Sequence, residues 1–336
     1  MSEAADIAHP RDVHDFHGGD AVEAALLDAL GRGRLHHAWM LCGPAGVGKA
    51  TFAYRAARRL MGARPDPAYG ALGSSPEDIV SRQIAARSHP DLIVLERVGE
   101  DGKLRKVIPV DDARKLPDFF SKAPASSPYR VAIIDAVDDM NANAANALLK
   151  TLEEPPERGV VFLVSHAPGG LLPTIRSRCR RLTFHAWGET DTAEFLMRRS
   201  VANQEDAMRL AAMAKGAPGR ALELAGGNAL DIDRAAYEIL HRLPEVDPVP
   251  MLSLTDSFRG PEGAVRFDLL FERLAERVRE RALGAAEQGA TPSDRWYSVW
   301  DRLVRLPREV EAVNLDRTDA FWAAMAELRA AARASL

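Results

Sequence analysis

Cysteine and long apolar runs are both scarce in this chain of 336 residues. Only two cysteines occur, Cys42 and Cys179, which excludes a disulfide framework and fits a reducing compartment. No apolar stretch approaches the roughly 20 residues that a membrane-spanning helix needs, and the amino-terminal residues lack the apolar core of a signal peptide. These absences predict a cytoplasmic protein with no membrane partner.

An excess of basic residues is missing as well. The chain has 44 Lys and Arg against 48 Asp and Glu, a formal net charge of -4 and a sequence pI near 6.2. A protein that coats nucleic acid needs a surplus of Lys and Arg, so any contact with DNA must be local or shared with partners. The hydrophobic content of 46% is ordinary for a globular protein, and the length suffices for two or three domains.

Short apolar segments alternate with helical segments between His37 and His185. This alternation predicts an α/β fold, in which a parallel sheet is covered by helices on both faces. A loop rich in Pro, Gly and Ser is expected from Gly62 to Pro90, and a polar helix over Asp111–Phe120. The five predicted strands are Ala38–Cys42, Asp91–Leu95, Val131–Ile134, Val160–Ser165 and Arg181–Phe184.

The strand pattern stops after Trp187 and Gly188. We therefore expect an α/β domain at 1–187, a small helical domain at 188–228, and a wholly helical domain at 229–336. Within the last of these, Met251–Gly263 is expected to form a loop. One helical face carries apolar residues that predict a bundle core: Phe267, Leu270, Phe271, Leu274, Val278 and Ala282.

A glycine-rich segment, Gly43-Pro-Ala-Gly-Val-Gly-Lys-Ala-Thr51, follows the first predicted strand and opens a helix. This is the setting of a phosphate-binding P-loop. Its glycines allow backbone N–H groups to converge on an anion, and the helix amino terminus adds a partial positive charge. The candidate nucleotide-binding glycines are Gly43, Gly46 and Gly48.

The residues after these glycines are only partly suited to ATP hydrolysis. Lys49 would meet the outer phosphates, but the next position should carry a hydroxyl that binds magnesium, and here it is Ala50. Thr51 is displaced by about 100° around the helix, so it does not simply replace that hydroxyl. The pattern indicates a phosphate-binding loop with impaired ATPase chemistry.

A second nucleotide-binding element should be an apolar strand that ends in an acid. Arg130-Val-Ala-Ile-Ile-Asp135 supplies it, and Asp135 could hold magnesium through water. A glutamate that polarises the attacking water is expected next in an active ATPase, whereas this chain has Ala136. We interpret the following Asp138 and Asp139 as solvated loop acids rather than as a displaced base.

Two further segments carry a family resemblance. In Asn146-Ala-Leu-Leu-Lys-Thr-Leu-Glu-Glu-Pro-Pro156, an amphipathic helix is stopped by proline. Together with Ser177-Arg178-Cys179, it closely resembles signature stretches of the bacterial clamp-loader family of AAA+ proteins. Three other segments are similar to the non-motor rather than the motor subunits of that family: His36-His-Ala-Trp-Met40, Ser88-His-Pro-Asp-Leu92 and Asn314-Leu-Asp316.

The resemblance implies an architecture and partners. The expected fold is a RecA-like AAA+ module, a small helical lid and a helical collar that joins a pentameric ring. The implied partners are delta and gamma/tau-type motor subunits and, through the complex, the sliding clamp and primed DNA. The complex belongs to the DNA polymerase III holoenzyme, a nucleotidyltransferase assembly that acts in DNA replication.

The resemblance also implies residue roles. Arg178, with Ser177 and Cys179 as its motif, matches an arginine finger that serves the ATP site of a neighbouring subunit; a guanidinium suits this role because it binds two phosphate oxygens at once. Arg220 lies where the lid carries a nucleotide-sensing arginine, although a structural role at a helix start fits it equally well.

Departures from the family pattern concern zinc and the sensor loop. Many relatives carry four zinc-binding cysteines after the P-loop helix, whereas 62–90 contains none, so we expect no zinc and a loop held by packing alone. After the fourth strand, Ser165-His-Ala-Pro168 replaces the Thr-rich sensor of motor subunits.

Three functions remain to be weighed. The favoured one is a regulatory and structural ring subunit that donates Arg178 and turns over little or no ATP. The alternatives are an active AAA+ motor subunit of the same loader and an unrelated P-loop enzyme such as a kinase. Whether ATP or ADP binds the degenerate loop is left open, because Lys49 and the glycines are retained.

Overall fold

A computed structural model describes residues 8–99, 102–155, 157–287 and 294–333. These residues form two compact units, Met1–Glu223 and Leu224–Leu336. Pro156, the last residue of the proline stop predicted above, lies outside the described residues. The predicted division of the first unit at 187/188 stays a prediction.

The first unit is built on a five-stranded parallel sheet with the strand order β2-β3-β4-β1-β5. The central strands β1, β3 and β4 are buried almost throughout, because helices cover both faces. All five predicted strands are present, with ends shifted by at most one residue: β1 Ala38–Cys42, β2 Leu92–Glu96, β3 Arg130–Asp135, β4 Gly159–Ser165 and β5 Arg180–Thr183.

Alternating side chains of each strand point to opposite faces of the sheet, and each face has its own apolar core. Trp39 and Leu41 pack in one core with Phe52 of helix α2 (Lys49–Leu60). Met40 packs in the other core with Leu148 of helix α6 (Ala142–Glu153). The remaining helices of this unit are α1 Asp20–Gly31, α3 Ile79–Ala85, α4 Val110–Ala113, α5 Lys115–Ser121, α7 Pro173–Ser177, α8 Glu189–Arg198 and α9 Gln204–Met213, and α10 (Pro218–Ala225) begins in it.

Two predicted segments differ from the structure. The region from Gly62 to Pro90 is not a loop throughout, because Asp78 caps helix α3 by accepting a hydrogen bond from the Val80 N–H. The helix predicted at Asp111–Phe120 is divided into α4 and α5.

Buried arginines of α2 hold the loop after this helix and the amino-terminal segment. Arg55 pairs with Glu23 at 2.8 Å and donates to the carbonyls of Tyr69, at 2.7 Å, and His14. The other carboxylate oxygen of Glu23 accepts the Leu72 N–H at 3.2 Å. The expectation that packing alone holds this loop is therefore wrong: charged hydrogen bonds supply the cross-link, which is stronger than a neutral hydrogen bond.

A second buried charge explains the Ser88-His-Pro-Asp-Leu92 segment. Asp91 is fully buried and accepts hydrogen bonds from the backbone N–H groups of Ala125, Ser126 and Ser127, at 2.7 to 3.1 Å. The Arg130 Nε lies 3.2 Å from the same carboxylate. Asp91 thus fastens the loop before β3 to the start of β2.

The described residues of the second unit form helices and turns and no strand, as predicted. Its apolar stripe is buried on α13 (Gly260–Glu287), where Phe267, Leu270 and Leu274 have 1% exposure or less. The loop predicted at Met251–Gly263 is wrong, because Asp247 caps a helix with prolines in its first turn, where a missing N–H costs no hydrogen bond. The helices are α11 Ala229–His241, α12 Pro248–Asp256, α13 Gly260–Glu287, α14 Asp294–Val313 and α15 Arg317–Arg333.

The predicted fold class is confirmed: a RecA-like AAA+ module with a parallel sheet between helical layers, followed by helices. Among the described residues, no helix is both long enough and apolar enough to cross a bilayer.

Candidate functional site

The glycine-rich loop joins the carboxyl end of β1 to the start of α2. Its glycines adopt φ angles of 151° at Gly43, 77° at Gly46 and 90° at Gly48, a region that other residues rarely occupy. The Gly46 carbonyl accepts the Gly219 N–H at 2.7 Å, and a Cβ atom at Gly46 would lie 2.5 Å from the backbone nitrogen of Arg220. The loop therefore packs directly on the first turn of α10.

Lys49 is folded back onto its own loop. Its Nζ donates to the carbonyl of Gly43 at 2.7 Å and to that of Pro44, and the residue is only 3% exposed. Burial lowers the pKa of Lys49 to about 8, although the nearby carboxylates of Asp135 and Asp138 oppose the shift. A phosphate would have to compete with two carbonyls for this ammonium group.

The residue after Lys49 is half-buried on the wall of the same cleft. Ala50 presents only a methyl group there, and Thr51 lines the cleft beside it. The first turn of α2 thus offers no hydroxyl at the position that binds magnesium in a working P-loop.

Asp135 ends β3 opposite Glu96 of β2. Burial raises the pKa of Asp135 to about 6, and the charge of Glu96 adds to the shift. A carboxyl group that is partly protonated near neutral pH is a weaker partner for a cation. The next residue, Ala136, is buried and carries no group that could polarise water.

Asp138 orders the loop that follows β4. Its carboxylate accepts the Ser165 hydroxyl at 3.0 Å and the backbone N–H groups of His166 and Ala167 at 2.7 and 3.1 Å. The interpretation of Asp138 as a solvated acid is wrong, because these three bonds occupy it. Asp139 is half-buried and lies 3.6 Å from Arg97.

The P-loop, the first turn of α2 and Asp135 line a cleft of about 590 Å³. One wall is the amino-terminal segment, including Phe16 and His17, and another is formed by Trp187 and Phe195. The cleft has the size of a small-molecule site. No local sequence pattern indicated the Phe16 wall, because that segment is held by distant arginines of α2.

Arg220 lies beside the P-loop but does not line the described cleft. Its Nη1 is 3.6 Å from Glu223 on the same helix, whereas Pro218, Gly219 and Glu223 do line the cleft. Both readings of Arg220, sensor and structural residue, stay predictions.

Arg178 lies at the end of the sheet opposite the P-loop, where the strands begin. It follows α7 and precedes β5, whose Arg180 pairs with Trp39 of β1. Trp39 is four residues before Gly43, about 13 Å along an extended strand. The strands are parallel, so the P-loop lies at the carboxyl edge and Arg178 at the amino edge.

The motif around Arg178 is partly ordered by its own helix. The Ser177 hydroxyl donates to the Thr174 carbonyl at 3.2 Å. Cys179 is half-buried, and burial raises the pKa of its thiol to about 12. A thiol in this state is not nucleophilic at neutral pH, which points to a packing role.

Within the described residues, no group of three or more His, Cys, Asp or Glu side chains is arranged to hold a metal ion. The absence of zinc stays a prediction.

Residues 19–187, which are half of the chain, match the family model described as "DNA polymerase III, delta subunit". The DNA polymerase III subunit delta' of Pseudomonas aeruginosa is 38% identical over 206 residues, 61% of this chain and 60% of that protein. The DNA polymerase III subunit gamma/tau of Mycobacterium tuberculosis (strain H37Rv) is 37% identical over 167 residues, 50% of this chain and 27% of that protein. The matches therefore span less than two thirds of the length of these curated relatives.

One solved structure, a DNA polymerase III gamma subunit-related protein from Thermotoga maritima, covers 90% of this chain and is itself covered to 98%. Its TM-score is 0.46 and its sequence identity is 18%.

Proposed function

This chain belongs to the DNA polymerase III delta-prime family of clamp-loader subunits, and from that premise we propose that it serves as the delta-prime subunit of a bacterial replicative clamp loader. In this role it joins delta and gamma/tau-type subunits in a pentameric ring that loads the sliding clamp on primed DNA. It works in the cytoplasm, donates an arginine finger to a neighbour and hydrolyses little or no ATP itself.

The placement of Arg178 carries this proposal. Arg178 lies at the amino ends of the parallel strands, and the P-loop of its own chain lies at their carboxyl ends. The length of a strand separates them, so the guanidinium cannot reach a nucleotide held in that P-loop. Its side chain is 36% exposed, which leaves it accessible to another molecule. An arginine that is accessible, always charged and remote from its own site suits catalysis in trans.

The state of its own nucleotide site supports the same proposal. Ala50 removes a magnesium ligand, Ala136 removes the base, and Lys49 is bound to its own loop. Relatives of both kinds, delta' and gamma/tau, match at nearly equal identity, so these residues rather than overall similarity separate the regulatory reading from the motor reading.

The helical unit from about Ala229 supports a role in assembly. We assign 229–336 to the collar, 188–228 to the lid and 1–187 to the AAA+ module. The buried stripe on α13 shows that these helices form their own core, so the collar can present a defined surface to other subunits.

The test is reconstitution of the loader with variants of Arg178. Arg178→Ala should leave the chain folded and assembled, yet impair DNA-stimulated ATP hydrolysis and clamp loading by the complex. Only one of several sites loses its finger, so bulk hydrolysis should fall in part and clamp loading further. Arg178→Lys should restore little, because an ammonium group cannot bind two phosphate oxygens side by side.

Arg181→Ala is the matched control, since Arg181 is an exposed arginine in β5, three residues further along the chain. It should leave both rates unchanged. Normal clamp loading by a complex that contains Arg178→Ala would refute the trans-acting role.

A further inference from the structure

Helix α6 connects the two edges of the sheet. It begins after β3, where Asn141 caps it by accepting the Ala144 N–H at 2.9 Å. It ends at Glu153, before β4 starts at Gly159. Helix α6 therefore runs from the carboxyl ends of the strands back to their amino ends. Glu153 lies near the amino ends of the strands, as Arg178 does.

Arg178 contacts two acceptors there. Its Nη2 lies 2.9 Å from the Glu153 carboxylate, and its Nη1 donates to the Thr174 carbonyl at 3.0 Å. A guanidinium has five N–H donors, so these two bonds fix its plane and still leave donors for an incoming phosphate.

The position of Glu153 has no other evident benefit for the helix. It is the last residue of α6, where the partial negative charge of the helix end disfavours a carboxylate. Glu154 follows it at the C-cap and is exposed. The pairing with Arg178 offsets this unfavourable placement for Glu153.

We infer that Glu153 is a positioning residue that holds Arg178 ready to enter the ATP site of a neighbouring subunit. This inference rests on the proposed function of Arg178. The carboxylate restricts the long, flexible side chain of Arg178 to fewer conformations before the neighbouring subunit binds. It acts through Arg178 and does not itself touch nucleotide.

The ion pair between Glu153 and Arg178 is strong enough to orient the arginine and weak enough to break when a nucleotide binds. The side chains are 36% and 49% exposed, and ion pairs in water of this kind are weak and readily exchanged. A phosphate group carries more charge than one carboxylate and can engage the remaining donors. The finger can therefore leave Glu153 at little cost when a nucleotide is presented.

The first arm of the test uses the isolated full chain. The side-chain order of Arg178 is measured from the ¹⁵Nε heteronuclear NOE, assigned by comparison with Arg178→Lys. Glu153→Ala should lower this order, Glu153→Gln should retain most of it because the amide oxygen still accepts, and Glu154→Ala should not change it. An unchanged NOE in Glu153→Ala would overturn the inference, whatever the function of Arg178.

The second arm uses the reconstituted complex and a double-mutant cycle. Glu153→Ala should slow the step that depends on Arg178 by about fivefold, a fraction of the entropy of an unrestrained arginine. In the Arg178→Ala background it should cause no further loss, and Glu154→Ala should have no effect in either background. Glu153→Gln should recover most of the rate.

The outcomes separate the two ideas. No effect of Arg178→Ala refutes the proposed finger. A clear effect of Arg178→Ala with a normal rate for Glu153→Ala refutes only the positioning role. A further loss from Glu153→Ala in the Arg178→Ala background shows that Glu153 acts on the helix or the interface instead, which also refutes it.

Discussion

Glu23 and Arg55 form an ion pair with 2.8 Å between Oε1 and Nη2, and both side chains are at most 4% exposed. Arg55 belongs to the helix that follows the P-loop, and it also holds the amino-terminal wall of the cleft through the His14 carbonyl. The shape of the candidate nucleotide site therefore depends on a buried charge outside it.

We predict that Arg55→Met lowers the free energy of unfolding by about 3–5 kcal/mol, because Glu23 is left charged and buried without its partner. Urea denaturation followed by circular dichroism measures this. Replacing both residues, with Glu23→Leu and Arg55→Met, should recover part of the loss.

The control for this prediction is Arg32→Met, which breaks the exposed pair with Asp28 on α1 and should cost less than about 1 kcal/mol. If Arg55→Met costs no more than this control, the buried pair does not stabilise the fold.

Asp91 should make stability depend on acid pH. Although burial opposes it, the N–H donors of Ala125 and Ser126, the Ser127 hydroxyl and Arg130 hold the pKa of Asp91 at about 2, below its ordinary value of 3.8. A carboxyl group with a depressed pKa in the folded state stabilises the protein above its unfolded pKa and loses this effect as the pH falls through the folded value.

The expected result is that Asp91→Asn is less stable than the unmodified chain at pH 6 and that this difference in stability narrows as the pH falls from about 4 to about 2. Denaturation midpoints over this range test it. Asp15→Asn, at an exposed position of the amino-terminal segment, is the control. A gap of constant size would show that the charge of Asp91 is not responsible.

The isolated chain should release phosphate from ATP only at the background rate. The reason is the joint loss of a magnesium-binding hydroxyl at Ala50 and a water-polarising carboxylate at Ala136. Phosphate release with and without primed DNA and clamp measures it. Robust turnover that Lys49→Ala abolishes would establish the motor reading instead.

The helical unit should be required for assembly. A protein of residues 1–228 should unfold cooperatively, since the sheet and both of its apolar cores lie within it, yet fail to co-purify with the other loader subunits. The full chain, mixed with the same subunits, is the control. Unchanged assembly of the shortened protein would count against the collar assignment.

The sheet was predictable because most of its strands are short apolar runs separated by helices. Such a pattern is visible within a few consecutive residues of the sequence. The loop predicted at Met251–Gly263 failed for a local reason. Pro250, just before this segment, and Pro261 within it are typical of loops, but they lie in the first turns of α12 and α13, where proline is tolerated.

The site was only half predictable. Gly46 and Lys49 follow the end of β1 in the sequence, Asp135 ends β3, and the structure brings all three to one cleft. No pattern indicated that Lys49 would bind its own loop. Asp138 was misread because its partners, Ser165 to Ala167, are nearly thirty residues away. The Phe16 wall depends on Arg55 and Arg58 in the same non-local way.

If Arg178 acts in trans as proposed, its placement opposite the P-loop gives the module a donor end and an acceptor end. Copies of such a module would then pack head to tail, and each contact would have a direction, because an arginine of one subunit would reach the nucleotide of the next. This chain keeps its donor end intact while its acceptor end is impaired. Such a subunit can supply an arginine to the nucleotide site of its neighbour without needing one at its own site. It would therefore occupy the first position in the row of subunits.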